Sequence, residues 1–175
     1  MGVAEVVTPT VVHHATLELR SERSLQMIDL TPLIASVVQR AGLWDGLVAV
    51  TTRHTTTGLL VNEHEPLLED DVTAMFERLV PAAAGYAHDD FARRQEVSAG
   101  ERVNGQAHCR AALLRASETF PVRAGALVLG RWQRVLFVEC DGGQRRQISV
   151  VCLGRARGGA GAPLDTVGSP AKLRP

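Results

Sequence analysis

Residues 46–65 read GLVAVTTRHTTTGLLVNEHE, two apolar runs separated by a polar segment. The first run, residues 46–54, is rich in apolar and β-branched residues and ends at His54, which predicts a buried strand. The second, residues 58–62, predicts another strand. Five threonines flank the histidine, at positions 51, 52, 55, 56 and 57. Such a polar strand end is typical either of a site that a rigid scaffold presents or of ordinary edge residues.

Helices are predicted on both sides of this segment. The run DLTPLIASVVQRAG predicts a helix with Thr31 as its cap, Pro32 in its first turn and Gly42 after its last turn. A second helix begins at Pro66 and stops before Pro81, and NGQAHCRAALLRAS predicts a short third helix.

Strand-like runs are more numerous than helices and lie next to one another. They are residues 10–19, 25–30, 125–132, 134–140 and 146–154, besides the two strands around His54. Neighbouring strands without regularly alternating helices predict an α+β fold with mostly antiparallel sheets. We expect one domain over residues 1–154 and a disordered Gly/Pro/Ala-rich tail over residues 155–175.

Composition narrows the function classes. The chain has 175 residues and a formal net charge of zero, so no overall basic character favours nucleic acid or an acidic membrane. Its three cysteines lack CxxC spacing, which favours a reducing compartment. Because the sequence has no long apolar run and no signal-peptide pattern, we expect a soluble, cytoplasmic protein.

Three well-separated histidines are candidate metal ligands. His54 ends a strand, His88 lies in the polar stretch of residues 82–105, and His108 follows Asn104 by four positions, which places both on one helix face. Three imidazoles can form a site for a borderline metal such as zinc. No HExxH or paired CxxC supports that reading, so satisfied structural histidines are the alternative.

Several carboxylates are candidates for acid/base chemistry. Glu63, Glu65 and Asp71 lie around the start of the second helix, where they either interact with the helix dipole or face a histidine. Glu139 lies inside an apolar run, where a carboxylate is costly unless it is paired. The nearby QRRQ run, residues 144–147, is a small basic patch or a solvated strand or turn face.

Several blocks together resemble the YjbQ-like family of secondary thiamine-phosphate synthases. HTTTGLLVNEHEP is similar to the family's HTT-(A/S)-(G/A)-L-x-(I/V)-N-E block, and the similarity continues to Asp71. It includes Tyr86-x-His88, NGQAH at residues 104–108, and LLRASETFPVRAGALVLGRWQRVLFVECDGGQRR at residues 113–146. The spacing holds from about residue 28 to residue 154.

The resemblance implies a β-sandwich-like α+β core with three helices, a homotrimer, and a cleft with a divalent metal, zinc first and magnesium second. The implied metal ligands are His54, His88 and His108. The implied catalytic residues are Glu63, Asn104 and Glu139. The implied substrate-binding residues are Thr55, Thr56, Asn62, Trp132 and Gln133.

The implied reaction joins a pyrimidine diphosphate to a thiazole phosphate. The alternatives are a metal-assisted hydrolase, a non-catalytic module for a phosphorylated small molecule, and a scaffold whose polar cluster lies at a subunit interface. The sequence departs from the family pattern at Arg115, Arg131 and Gln144. We expect Arg131 and Gln144 to alter the anion-binding edge of the pocket.

Overall fold

The computed structural model describes residues 10–157, which form two antiparallel sheets and three helices. The helices are α1 (Thr31–Arg40), α2 (Pro66–Leu79) and α3 (Gly105–Ala111). The strands are β1 (Thr10–Arg20), β2 (Gln26–Asp29), β3 (Leu43–Thr52), β4 (Thr57–Asn62), β5 (Ser117–Arg123), β6 (Ala126–Leu127), β7 (Arg134–Glu139) and β8 (Arg145–Ala156). The predicted α+β class is confirmed.

The two sheets share one apolar core. The larger sheet has the order β1-β8-β3-β5-β6 and the smaller has the order β2-β7-β4. Alternate residues of the larger sheet, such as Val50 and Ile148, pack with Leu59 and Phe137 of the smaller sheet and with α1. A second apolar cluster joins the smaller sheet to α2 and α3. The smaller sheet is therefore covered by protein on both faces.

The outward face of the larger sheet carries an exposed apolar row. Val12, Leu153 and Leu47 are direct neighbours across β1, β8 and β3. Their side chains are 62%, 52% and 47% exposed. In the described part of the chain this row lies on the sheet face opposite the core.

The beginning of α1 differs from the prediction. Thr31 is the first helical residue and not the cap. Its hydroxyl accepts a hydrogen bond from the backbone N–H of Val135 at 2.9 Å, while Asp29 accepts the N–H of Thr31 at 2.8 Å. Thr31 therefore ties α1 to β7. Asp29, and not Thr31, accepts a free N–H group at the start of the helix.

The strands after α3 also differ from the prediction. Residues 117–123 form β5, which the sequence did not predict because Pro121 interrupts the run. The proline is tolerated near the sheet edge, where β6 pairs only with Val122 and Arg123. The strand predicted over residues 125–132 is reduced to the two residues of β6.

The division of the chain into one domain and a tail stays a prediction. Strand β8 ends at Ala156, two residues beyond the expected boundary, and most of the predicted tail lies outside the described residues. Between residues 10 and 157, no helix is long and apolar enough to cross a membrane. Cys109, Cys140 and Cys152 are all free thiols.

Candidate functional site

The predicted site residues lie at two opposite ends of the β4–β7 pair. Thr57 pairs with Glu139 at one end, and Asn62 pairs with Arg134 at the other. Five residue steps along a strand correspond to about 17 Å. We call these the Glu139 end and the Asn62 end. The Glu139 end holds His54, Thr55, Thr56 and Glu139, and the Asn62 end holds Asn62, Glu63, Trp132 and Gln133.

Glu139 is fully buried and its carboxylate is saturated with hydrogen bonds. Arg146 donates to both oxygens at 2.7 Å, and Ser21 donates its hydroxyl at 2.7 Å. The backbone N–H groups of Asp141 and Gly142 donate at 2.9 and 3.1 Å. Burial opposes ionisation, but these donors outweigh it and lower the pKa of Glu139. Such a carboxylate holds Arg146 in place and has little capacity left for proton transfer.

Arg146 extends this cluster to the threonine segment. Its Nη2 donates to the Thr56 hydroxyl at 3.1 Å, and the Thr56 carbonyl accepts the N–H of Cys140 at 3.0 Å. Thr56 is buried, whereas Thr55 is exposed. Of the two hydroxyls predicted to bind substrate, that of Thr55 is the accessible one.

His54 is half-buried, and one of its nitrogens is already engaged. Its Nε2 accepts the backbone N–H of Gln147 at 2.8 Å. Burial, and then the nearby Arg146, lower the pKa of His54. The neutral ring with an accepting Nε2 carries its proton on Nδ1, so it can donate one further hydrogen bond.

His88 and His108 lie against each other. Their ring centroids are 4.6 Å apart and the ring planes are inclined by 62°. Glu101 lies beyond them, with its Oε1 3.9 Å from His88 Nε2. Burial, followed by the charge of His88, lowers the pKa of His108, which favours its neutral form.

Asp89 positions α3 and therefore His108. Its Oδ1 accepts the N–H groups of Asn104 and Gly105 at 3.0 and 2.8 Å, which satisfies two free donors at the helix start. Asn104 donates its Nδ2 to Asp141 at 3.1 Å. Its Oδ1 is buried and has no hydrogen-bond partner within residues 10–157. A buried oxygen without a partner is a feature that a bound cation or donor would satisfy.

The three histidines are not assembled as one metal site by a single chain. Over the part of the chain that the structure describes, no three His, Cys, Asp or Glu side chains are grouped so that they could hold an ion. His88 and His108 fit as two ligands, while His54 contacts Gln147 and lies near Arg146. The three-histidine site stays a prediction.

The residues at the Asn62 end make local contacts. Asn62 Oδ1 accepts the N–H of Glu63 at 2.9 Å, and Gln133 Oε1 accepts the N–H of Gly130 at 2.7 Å. Trp132 is 60% exposed, with the guanidinium of Arg131 4.7 Å from its ring centroid. Within one chain these residues are a strand length away from the Glu139 end.

Three residues that hold the site together were missed from the sequence, and Arg146 was predicted only as part of a small basic patch. Arg146 and Ser21 bind Glu139, Asp141 binds Asn104, and Asp89 positions α3. A signal existed for Arg146, because it shares the strand parity of the buried Ile148. The other three depend on contacts between distant segments, which no local pattern encodes.

Comparison with known proteins now assigns the family. The sequence model described as UPF0047 protein YjbQ-like matches residues 15–155. The chain belongs to the YjbQ-like UPF0047 family. This YjbQ-like chain is 39% identical to a UPF0047 protein of Archaeoglobus fulgidus over 78% of its own length and 98% of the relative's. It is 35% identical to one of Methanothermobacter thermautotrophicus, over 82% of its length and 94% of the relative's.

Solved structures agree with this assignment. A YbjQ-like protein of unknown function from Sulfolobus solfataricus is similar with a TM-score of 0.75 and 28% identity, covering 83% of this YjbQ-like chain and 99% of the other. A hypothetical protein from Aeropyrum pernix is similar with a TM-score of 0.71 and 30% identity, covering 82% and 98%. The family recognised from the sequence is confirmed, and the names of these relatives state no activity.

Proposed function

We propose that this chain is a metal-binding cytoplasmic enzyme with a secondary thiamine-phosphate synthase activity. In that reaction the thiazole phosphate displaces pyrophosphate from the pyrimidine diphosphate, and thiamine phosphate is formed. The choice of reaction rests on the family resemblance of the blocks around His54, Asn104 and Trp132. The observation that carries the metal site is the packing of His88 against His108, four residues after Asn104, whose buried side-chain oxygen has no partner among residues 10–157.

His88 and His108 would hold the metal, zinc before magnesium, because neutral imidazole is a good ligand for zinc. A bound divalent ion supplies positive charge that stabilises the departing pyrophosphate. Asn104 is fixed by Asp141, and its amide oxygen is buried. Glu139 acts as a positioning residue, since it holds Arg146 and through it Thr56.

His54 is assigned to the substrate side of this site. Its Nε2 accepts the Gln147 N–H, and its ring lines a cavity together with Arg145. We therefore expect it to donate from Nδ1 to the substrate. The alternative is the ligand set that the resemblance implies, in which His54 is the third metal ligand. The following experiment distinguishes these two roles of His54.

Metal analysis of the purified chain, combined with a thiamine-phosphate assay, tests the proposal. We expect about one divalent ion per chain, lost in His88→Ala and His108→Ala and retained in His54→Ala. All three variants should lose product formation. Loss of metal in His54→Ala would favour the three-histidine set. If the wild-type protein contains no metal and forms no product, the proposal of an enzyme is contradicted and the non-catalytic phosphate-binding module is favoured.

We further propose that the chain forms a homotrimer through the outward face of the larger sheet. The support is the exposed row of Val12, Leu47 and Leu153, three large apolar side chains side by side on one sheet face. Within one chain the Asn62 end and the Glu139 end are a strand length apart. In an oligomer, the Asn62 end of one copy could lie next to the Glu139 end of another.

Leu153→Glu is expected to prevent this assembly, because it places a charge in the middle of the row. Sedimentation equilibrium should give the mass of three 18.8 kDa chains for the wild type and of one chain for the variant. Ala74→Glu, an exposed position on α2, is the matched control and should remain a trimer. A wild type that sediments as a monomer would contradict the proposal.

A further inference from the structure

Two arginines face each other where β1 ends and β8 begins. Arg20 and Arg145 are direct register partners on these neighbouring strands. Side chains in this relation have Cβ atoms about 5 Å apart, and like charges there destabilise a sheet. Neither arginine forms an ion pair with a carboxylate among residues 10–157. Two like charges therefore face each other at this end of the sheet, and neither is in a salt bridge within residues 10–157.

Both arginines line a cavity of about 610 Å³. That volume lies within the range of about 300–1,000 Å³ that is typical of small-molecule sites. It is lined by Glu18, Leu19, Arg20, His54, Arg145, Arg146 and Gln147. The cavity is larger than a bare inorganic ion requires.

The charge of this cavity is positive. Glu18 is its one carboxylate, and it accepts a hydrogen bond from Gln147 Nε2 at 3.1 Å. The charge of Arg146 is balanced by Glu139. Arg20 and Arg145 thus leave an excess of one positive charge over Glu18. Arg53 adds another at the margin, with its Nη1 3.2 Å from Gln147 Oε1.

We propose that this cavity binds the phosphate or diphosphate group of a small organic phosphate through Arg20 and Arg145. Guanidinium groups present paired donors that match phosphate oxygens, and two opposed guanidinium groups suit a group with at least two negative charges. With Arg53 counted, the excess is two positive charges, and a carboxylate would neutralise only one of them. His54 also lines the cavity, and its Nδ1, which has no hydrogen-bond partner among residues 10–157, offers a third donor. The inference names the substrate class of the proposed function and in that sense rests on it.

Calorimetric titration of the full chain with inorganic pyrophosphate tests the site without any turnover. In a buffer with a chelator, we expect wild-type binding that weakens as salt is raised. Arg20→Gln and Arg145→Gln should each weaken it roughly tenfold, and the double variant about a hundredfold. Arg123→Gln, an exposed strand arginine at the end of β5, is the matched control and should bind like the wild type. A parallel titration with orthophosphate shows whether one phosphate group suffices.

The same variants separate lost binding from lost folding. Because removal of opposed like charges relieves repulsion, the double variant should have an unchanged or higher Tm than the wild type. No pyrophosphate binding by the wild type, or equal binding by the double variant, would overturn the anion site. Pyrophosphate binding without any thiamine-phosphate formation would support the site and contradict only the proposed reaction.

Discussion

Replacing Glu139 with alanine is expected to lower the free energy of unfolding by about 3–5 kcal/mol. The change leaves Arg146, whose side chain is 5% exposed, buried without a counter-charge. It also removes the acceptor for Ser21 and for the N–H groups of Asp141 and Gly142. Breaking a buried pair from one side is costly because the remaining charge stays desolvated. Urea denaturation of the two proteins measures the difference.

Two control variants show whether the loss comes from the unpaired arginine. Ser21→Ala removes the hydrogen bond to Glu139 and the acceptor of the Gln144 N–H, and should cost about 1–2 kcal/mol. The double change Glu139→Leu with Arg146→Met removes both charges and should recover much of the stability that Glu139→Ala loses. A double variant as unstable as Glu139→Ala would mean that the hydrogen-bond network, and not the charge, dominates.

The Glu139–Arg146 pair also makes the free energy of unfolding decrease as the pH falls. The pKa of Glu139 is lower in the folded protein than its ordinary value, because its donors outweigh the effect of burial. Its contribution is therefore present above the ordinary glutamate pKa and lost as the pH falls through the folded pKa. Acidification below the ordinary glutamate range should destabilise the wild type more than Glu139→Ala in the same urea assay.

The strands that are purely apolar or alternate regularly could be predicted from the sequence. β3, β4 and β7 lie where the apolar runs indicate, and α2 has the predicted bounds between its two prolines. β5 could not be predicted, because its proline is compatible with a strand only near a sheet edge. Which strand lies at an edge is a property of the assembled sheet and not of the seven residues of β5.

The site was predictable in its residue types but not in its arrangement. The position of Glu139 in an apolar run correctly indicated a buried carboxylate with a partner, and strand parity with Ile148 indicated that Arg146 is buried, but nothing local showed that the two form a pair. His88 and His108 are 20 positions apart in the sequence, and they meet because Asp89 fixes the start of α3. Gln133 was grouped with His54 through the family resemblance alone, whereas antiparallel pairing of β4 and β7 puts them at opposite ends of the smaller sheet.

Gly46→Ala is the second change with a large expected effect, a loss of about 3 kcal/mol. Gly46 pairs directly with Gly154 on the neighbouring antiparallel strand β8. A Cβ on Gly46 would lie 2.2 Å from the Leu153 carbonyl oxygen and 2.7 Å from the Gly154 Cα. Both are backbone atoms, so the clash cannot be relieved by a side-chain rotation and the two strands must move apart. Urea denaturation measures the loss.

The same substitution tests whether this strand pairing positions the site. β3 leads directly to His54. β8 begins with Arg145, Arg146 and Gln147, which line the same cavity as His54. The register of the two strands therefore aligns His54 Nε2 with the Gln147 N–H. We expect Gly46→Ala to weaken pyrophosphate binding as well as stability, although it lies at the far end of the sheet. Gly130→Ala is the control, since its Cβ would meet only the flexible Gln133 side chain, at 3.2 Å, and should change neither property. An unchanged free energy of unfolding in Gly46→Ala would contradict this prediction, because it would mean that β3 and β8 can move apart at Gly46 without loss of stability. The apolar pairs nearer to His54 would then hold the register.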